Sequence, residues 1–131
     1  MLGAVTSPTP HRYAFINLPH AHTVVGRLVR SLSAQEHPCP FEETALPELL
    51  AELDRHLRPY PEDPPEAVAL EVADQVAAVA RRLVEEIEQV GYRGDRLGQC
   101  VRNLFECLGL GPEGAELSLR CGERPDSPLR P

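Results

Sequence analysis

The fold is decided by the stretch DPPEAVALEVADQVAAVARRLVEEIEQVG, residues 63–91. It opens with the signals of a helix start, since Asp63 is a favourable N-cap, prolines are tolerated in a first turn and Glu66 completes a capping box. It closes on Gly91, a residue typical of the position just after a helix. Between these signals, apolar residues recur at spacings of three and four, which predicts one long amphipathic helix.

This long helix presents two adjacent apolar stripes, one of larger residues and one mainly of alanine. Together they span about half of the helix circumference, so we expect the helix to be packed on two sides and to be the central helix. The alanine stripe permits close approach of another helix, either within the fold or across a dimer interface. The first stripe comprises Val72, Val76, Val79, Leu83, Ile87 and Val90, and the second comprises Ala69, Ala73, Ala80 and Val84.

Three further helices are predicted over residues 19–35, 44–58 and 95–108, from the same helical spacing of apolar residues. Prolines fall between the helices and inside their first turns, where they are tolerated. We therefore expect an all-α fold, a four-helix bundle-like domain with proline-rich connectors. The predicted N-caps are Asn17, Thr44 and Asp95, and the predicted core comprises Val25, Leu28, Leu32, Leu49, Leu50, Leu53, Val72, Val76, Val79, Leu83, Ile87, Val101, Leu104, Phe105 and Leu108.

Two short segments alternate apolar and polar residues instead. Residues 12–18, RYAFINL, are interpreted as an extended arm laid on the helical core, with a short strand as the alternative. Residues 115–121, AELSLRC, suit a strand or extended segment. The chain ends lack periodicity, so we expect a flexible arm over 1–11, one helical domain over 12–121 and a flexible tail over 122–131.

The composition limits the classes of partner. The chain has 131 residues, a net charge of −7 and 13 basic residues, all of which are arginine. Phosphate neutralisation supplies most of the affinity of nucleic-acid binders, so the acid excess predicts neither nucleic acid nor an anionic membrane as a main partner. The same charge argues against a helix-turn-helix reading of the last two helices, in which Arg93, Arg96 and Arg102 would face phosphates. No apolar run approaches a membrane span and no secretory signal is visible, so we expect a cytoplasmic protein with reduced cysteines.

Histidines and a cysteine on either side of the first predicted helix are candidate zinc ligands, because imidazole and thiolate are preferred by zinc. The two pairs are separated by a helix more than about 20 Å long, so one chain brings them to one ion only if that helix is broken. Exposed first-turn histidines and a buried connector thiol are the simpler interpretation. We expect no cofactor, with zinc as the alternative. The candidate ligands are His20, His22, His37 and Cys39.

Candidate catalytic groups are sparse. The run Glu85, Glu86 and Glu88 is expected mainly on the solvated helix face, although Glu86 lies at the edge of the valine stripe, four residues after Arg82. Phosphate-binding loops, nucleophile elbows and metalloprotease motifs are absent from the sequence. The enzymatic alternative requires a deep pocket that holds two or more of Arg82, Glu86, His56 and Tyr92 with perturbed protonation. Two cysteines, Cys100 and Cys107, are expected to be small core residues.

We therefore expect a non-enzymatic protein–protein interaction module, an adaptor, regulator or inhibitor that acts through helical surfaces. Its acidity favours a protein partner with a basic surface, and a homodimer is a second candidate assembly. A small metal- or ligand-binding protein and an accessory enzyme subunit are the alternatives. The candidate interaction residues are Ala69, Ala73, Ala80, Arg82 and Glu86.

Overall fold

Five α-helices and one 3₁₀ turn account for most of residues 9–110, the part of the chain that this computed structural model describes. No strand occurs within that range, where a single antiparallel bridge joins Ile16 to Leu108. The predicted all-α, bundle-like fold is confirmed. The elements are α1 (Thr9–Phe15), α2 (Leu18–Ser33), the 3₁₀ turn (Phe41–Glu43), α3 (Leu46–Leu57), α4 (Glu66–Val90) and α5 (Asp95–Cys107).

Helix α4 ends where its sequence predicts, but its predicted N-cap serves another helix. Gly91 adopts a left-handed φ of +97°, and its N–H donates to the Ile87 carbonyl oxygen at 2.9 Å. Pro65 is the N-cap residue of α4 and makes no side-chain cap bond. The Asp63 carboxylate instead accepts the N–H of Leu18 at 3.1 Å, so it caps α2 across the fold.

The start of α2 therefore has every early backbone donor satisfied. Asn17 is confirmed as its N-cap, since its side-chain oxygen accepts the N–H of His20 at 3.0 Å. The N–H of Leu18 goes to Asp63, Pro19 has none, and the N–H of Ala21 reaches the Asn17 carbonyl at 2.9 Å. This accounting explains how α2 can begin only two residues after α1 ends.

The other two predicted caps are wrong in detail. Ala45 is the N-cap residue of α3, although the hydroxyl of the preceding Thr44 still accepts the N–H of Leu46 at 3.1 Å. Gly94 is the N-cap residue of α5, with a φ of +135°. Asp95 lies inside that helix, where its charge is favourable to the N-terminal dipole.

Helices α2 and α3, and not the long helix α4, each pack extensively against two neighbours. Helix α2 packs against α3 and α5, and α4 packs mainly against α3. The expected central position of the long helix is therefore wrong. Its wide apolar arc is nevertheless covered, because α1 and α5 each contact it in addition to α3.

The predicted core is buried, with Leu49 as the one residue that is only half-buried. Both stripes of α4 are buried as well, except that Val90 is half-buried. Tyr92 adds the largest fully enclosed side chain, just beyond the end of α4. The spacing of apolar residues thus identified the core-facing side of all four predicted helices.

The expected extended arm over residues 12–18 is wrong, since α1 covers residues 9–15 and α2 begins at Leu18. The reason is tertiary. Arg12 donates through Nε to the Leu108 carbonyl at 3.1 Å and through Nη1 to Asp74 at 2.8 Å. These bonds, together with burial of Ile16, hold a short helix that its own sequence does not encode strongly.

The flexible arm expected over residues 1–11 is likewise wrong for residues 9–11, which belong to α1. Residues 1–8 lie outside the described part of the chain. The predicted segment 115–121 and the predicted tail 122–131 also fall outside it. Among the helices of residues 9–110, none is both long and apolar enough to cross a membrane.

Candidate functional site

The four candidate zinc ligands are not brought together. His20 is exposed on the first turn of α2, while His22, one half-turn on, points its Nε2 at Asp54 Oδ1 on α3, 2.5 Å away. His37 and Cys39 lie beyond the other end of α2, in the connector to the 3₁₀ turn. Within residues 9–110 no three histidine, cysteine or acidic side chains approach closely enough to hold a metal ion.

His37 and Cys39 instead form a packing cluster with Tyr92. The His37 Nδ1 accepts the Cys39 N–H at 3.0 Å, and the ring stands edge-on to Tyr92 with centroids 5.1 Å apart. The Tyr92 hydroxyl donates to the Cys39 carbonyl at 2.6 Å. Burial, followed by the nearby Cys39 and Glu42, raises the pKa of Tyr92. This cluster fastens the α2–α3 connector to the α4–α5 turn.

The alanine stripe of α4 is covered within the chain. Ala69, Ala73 and Ala80 have no exposed surface. Their small side chains let helices pack closely inside the fold, which is one of the two uses that the pattern permits. The pattern could not distinguish these two uses, because both require a small residue at each close approach.

Arg82 and Glu86 also serve the fold, and they do so separately. Arg82 Nη2 lies 3.2 Å from both carboxylate oxygens of Glu52 on α3. Glu86 Oε2 accepts the N–H of Ala45 at 3.1 Å, at the start of α3. Both side chains therefore tie α4 to α3. Tyr92 is bonded to the Cys39 carbonyl, so Arg82, Glu86 and Tyr92 each have a different partner.

An open cleft of about 490 Å³, here called the apolar groove, lies between α2 and α3. The two helices run antiparallel, because His22 near the start of α2 meets Asp54 near the end of α3. Each helix contributes one face at spacings of three and four residues. The lining comprises His22, Val25, Gly26 and Val29 from α2, Pro47, Leu50, Ala51 and Asp54 from α3, and Phe41 from the 3₁₀ turn.

The polar groups of the apolar groove are confined to the His22–Asp54 pair. Hydrogen bonds first from His22 and then from Arg58 hold the pKa of Asp54 below its ordinary value of 3.8. Asp54 is therefore ionised at neutral pH, and its carboxylate is paired with Arg58 beside an otherwise apolar lining. Val29, 38% exposed, is the most accessible large apolar residue of the lining.

Gly26 lies in the middle of α2, in the wall of this groove. A Cβ built on Gly26 meets no atom within 4 Å, so the fold leaves room for a side chain there. Its φ is not in the left-handed region, whereas Gly91, Gly94 and Gly109 have positive φ values. Glycine in a helix interior costs about 1 kcal/mol relative to alanine. Neither packing nor backbone geometry accounts for a glycine at this position.

Sequence reasoning missed this groove, although two signals were present. Gly26 interrupts an otherwise favourable helical sequence. Val29 follows the helical spacing of the apolar residues of α2, yet it lies at the edge of that apolar face and is exposed. Neither signal indicates which helix packs beside this part of α2. That is determined by the order in which the helices pack.

Comparison with known protein families, with characterised proteins and with solved structures finds no match for this chain. The candidate function therefore rests on the chemistry of the residues described above.

Proposed function

We propose that this chain is a cytoplasmic protein–protein interaction module, an adaptor, regulator or inhibitor that receives a helix of a partner protein in the apolar groove. The observation that carries the proposal is Gly26: a helix-destabilising residue with open space above it, in the wall of an apolar cleft. Glycine is favoured where another backbone must approach closely. Its presence here is explained if a partner's backbone passes over it.

The shape of the groove suits a helix as the occupant. Two antiparallel helices form its walls, with the buried side chains Val25 and Leu50 between them. Phe41 and the exposed Val29 add apolar surface for a partner to cover. Amphipathic helices bind such grooves through apolar residues spaced three and four apart.

Charge favours a partner helix with basic residues beside its apolar face. Asp54 lies in the lining, and exposed Glu43 and Glu48 are close in sequence to the lining residues Phe41 and Pro47. The whole chain carries a net charge of −7, which attracts a basic segment from a distance. Opposite charges at the rim raise the rate of association and fix orientation more than they add affinity.

The proposal is tested by site-specific photo-crosslinking in the native cells. A photo-reactive amino acid replaces Val29 in the groove, and the matched control carries it at Val68 on α4. These two valines are 38% and 37% exposed, so access to the reagent is equal. We expect a discrete adduct at position 29 and none of the same kind at position 68.

The adducts are then mapped by mass spectrometry. The proposal requires that the cross-linked partner segment be an amphipathic helix with basic residues. An adduct to a second copy of this chain would overturn it in favour of a homodimer. Equal adducts at both positions, or none at position 29, would also overturn it.

A further inference from the structure

A second cleft, of about 640 Å³, lies on the opposite flank of α2, where α5 packs against it. Here α2 contributes Arg27 and Arg30, and α5 contributes Arg96, Gln99 and Asn103. The α5 residues are spaced three and four apart, so they share one face of that helix. We call this the arginine cleft.

Within residues 9–110 the arginine cleft has no counter-charge. No acidic residue of that range is in its lining, and none of its three arginines forms an ion pair there. Three of the other arginines, Arg12, Arg58 and Arg82, pair with carboxylates. A cleft whose described lining holds three arginines and no carboxylate is unexpected in a chain with a net charge of −7.

The side-chain amides of Gln99 and Asn103 in the arginine cleft are oriented so that N–H donors remain available. Arg102 donates to Gln99 Oε1 at 3.0 Å, and Gln99 Nε2 donates to Asn103 Oδ1 at 3.2 Å. Both amide oxygens are thereby engaged within the protein. The Nδ2 of Asn103 has no acceptor among the described residues and remains available to a ligand. The cleft therefore offers hydrogen-bond donors and positive charge together.

The charges of all three arginines influence one side chain, that of Cys100. Cys100 is a further lining residue of the cleft, and its sulfur lies within the electrostatic reach of Arg27, Arg96 and Arg30 at once. Burial is the larger influence and raises the pKa of Cys100, while the three guanidinium groups oppose it. Three cations lining one cleft are what a multiply charged anion needs.

We propose that the arginine cleft binds the phosphoryl group of a small molecule. A phosphate monoester carries a charge of about −1.5 to −2 and three terminal oxygens, which matches three guanidinium groups better than a single carboxylate does. Arginine forms planar, paired hydrogen bonds with such oxygens. A cleft of about 640 Å³ also has room for an organic body beside the phosphoryl group, since ligand sites span roughly 300–1,000 Å³.

Titration calorimetry with inorganic phosphate and with pyrophosphate, at constant ionic strength, tests the proposal. We expect saturable 1:1 binding of at least one of them, with amide NMR shifts at Gln99 and Asn103. The double variant R27Q/R96Q should weaken that binding by about tenfold or more. The matched control is R55Q, because Arg55 is exposed, lies on α3 outside the cleft and forms no ion pair with the described residues.

Three results would overturn the proposal. They are the absence of saturable binding, an equal loss of binding in R55Q, and tighter binding of citrate or of a short DNA duplex than of either phosphate probe. The site is independent of the apolar groove. We therefore expect a Gly26→Trp variant to bind phosphate or pyrophosphate as the unmodified chain does, whatever its effect on a protein partner.

Discussion

At the scale of single residues, replacement by alanine should have opposite effects on stability at Gly26 and at Gly109. Gly26→Ala should raise the free energy of unfolding by about 0.5–1 kcal/mol, because the new methyl group meets open space in a helix interior. Gly109→Ala should lower it by more than about 1 kcal/mol. There φ is +76°, and a Cβ would lie 2.6 Å from Arg12 Cγ and 2.8 Å from the Arg12 carbonyl oxygen. Urea denaturation measures both, and destabilisation by Gly26→Ala would show that the fold itself needs this glycine.

Asp54 predicts a dependence of stability on pH. Its bonds to His22 and Arg58 place its folded pKa below the ordinary value of 3.8. Its contribution is thus fully present above the unfolded pKa and is lost as the pH falls through the folded pKa. Between about pH 4 and pH 2, the free energy of unfolding should fall less steeply in Asp54→Asn than in the unmodified chain. Glu71→Gln, an exposed carboxylate on α4 without an ion pair to the described residues, is the control and should keep the original slope.

The cysteines should differ in reactivity according to burial. Burial, then Glu106, raises the pKa of Cys107 to about 11, and Cys100 is buried as well. Cys39 is only half-buried in its connector. In the native protein at about pH 8, alkylation should label Cys39 faster than Cys100 or Cys107 by about two orders of magnitude, because both access and thiolate fraction limit the rate. Mass spectrometry measures the three sites separately, and similar rates at all three would contradict the described packing of α5.

At the scale of elements, the N-terminus of α2 depends on a residue from a distant connector. Asp63→Ala should destabilise the protein by about 1 kcal/mol, as loss of a cap does. The change should increase hydrogen exchange at Leu18 and His20, where α2 begins. Asn17→Ala is the matched comparison on the same helix end. Faster exchange at residues 66–68 alone would instead show that Asp63 caps α4, as its sequence position predicts.

The elements show where sequence reasoning succeeds. Periodicity and local stop signals fixed α4 to the residue at its C-terminal end, because Gly91 acts on its own helix. The prediction that Asp63 caps α4 failed because a side chain can accept a hydrogen bond from any nearby donor. Here that donor is the N–H of Leu18, which is distant in sequence. Helix α1 was missed because its bonds to Leu108 and Asp74 are long-range. What is local was predictable, and what depends on a neighbour was not.

At the scale of the whole molecule, both clefts are consequences of one packing order. Helix α3 packs on one flank of α2, and α5 packs on the other. The two borders between the apolar and the polar face of α2 therefore each form one wall of a cleft. The sequence placed Arg27 and Arg30 away from the core face, yet it gave no means of setting Arg96 beside them. The net charge of the chain was equally uninformative, because an acidic chain can still place three arginines around one cleft.

The covered alanine stripe changes the expected interface, while the expected kind of function stays a proposal. The interaction surface that we propose lies at the border of α2 and α3, where exposed Val29 and the open space over Gly26 coincide. The predicted partner remains a basic protein segment, now specified as a helix. The central proposal is that the open space over Gly26 receives that helix.

The most direct measurement is the affinity of the partner helix, as a peptide taken from the adduct at position 29, for three versions of the chain. Gly26→Trp should weaken binding by about tenfold or more, at least about 1.4 kcal/mol, because the indole fills the groove. Gly26→Ala should weaken it less, although it stabilises the fold. Equal affinity of the peptide for the unmodified chain, Gly26→Ala and Gly26→Trp would contradict the account.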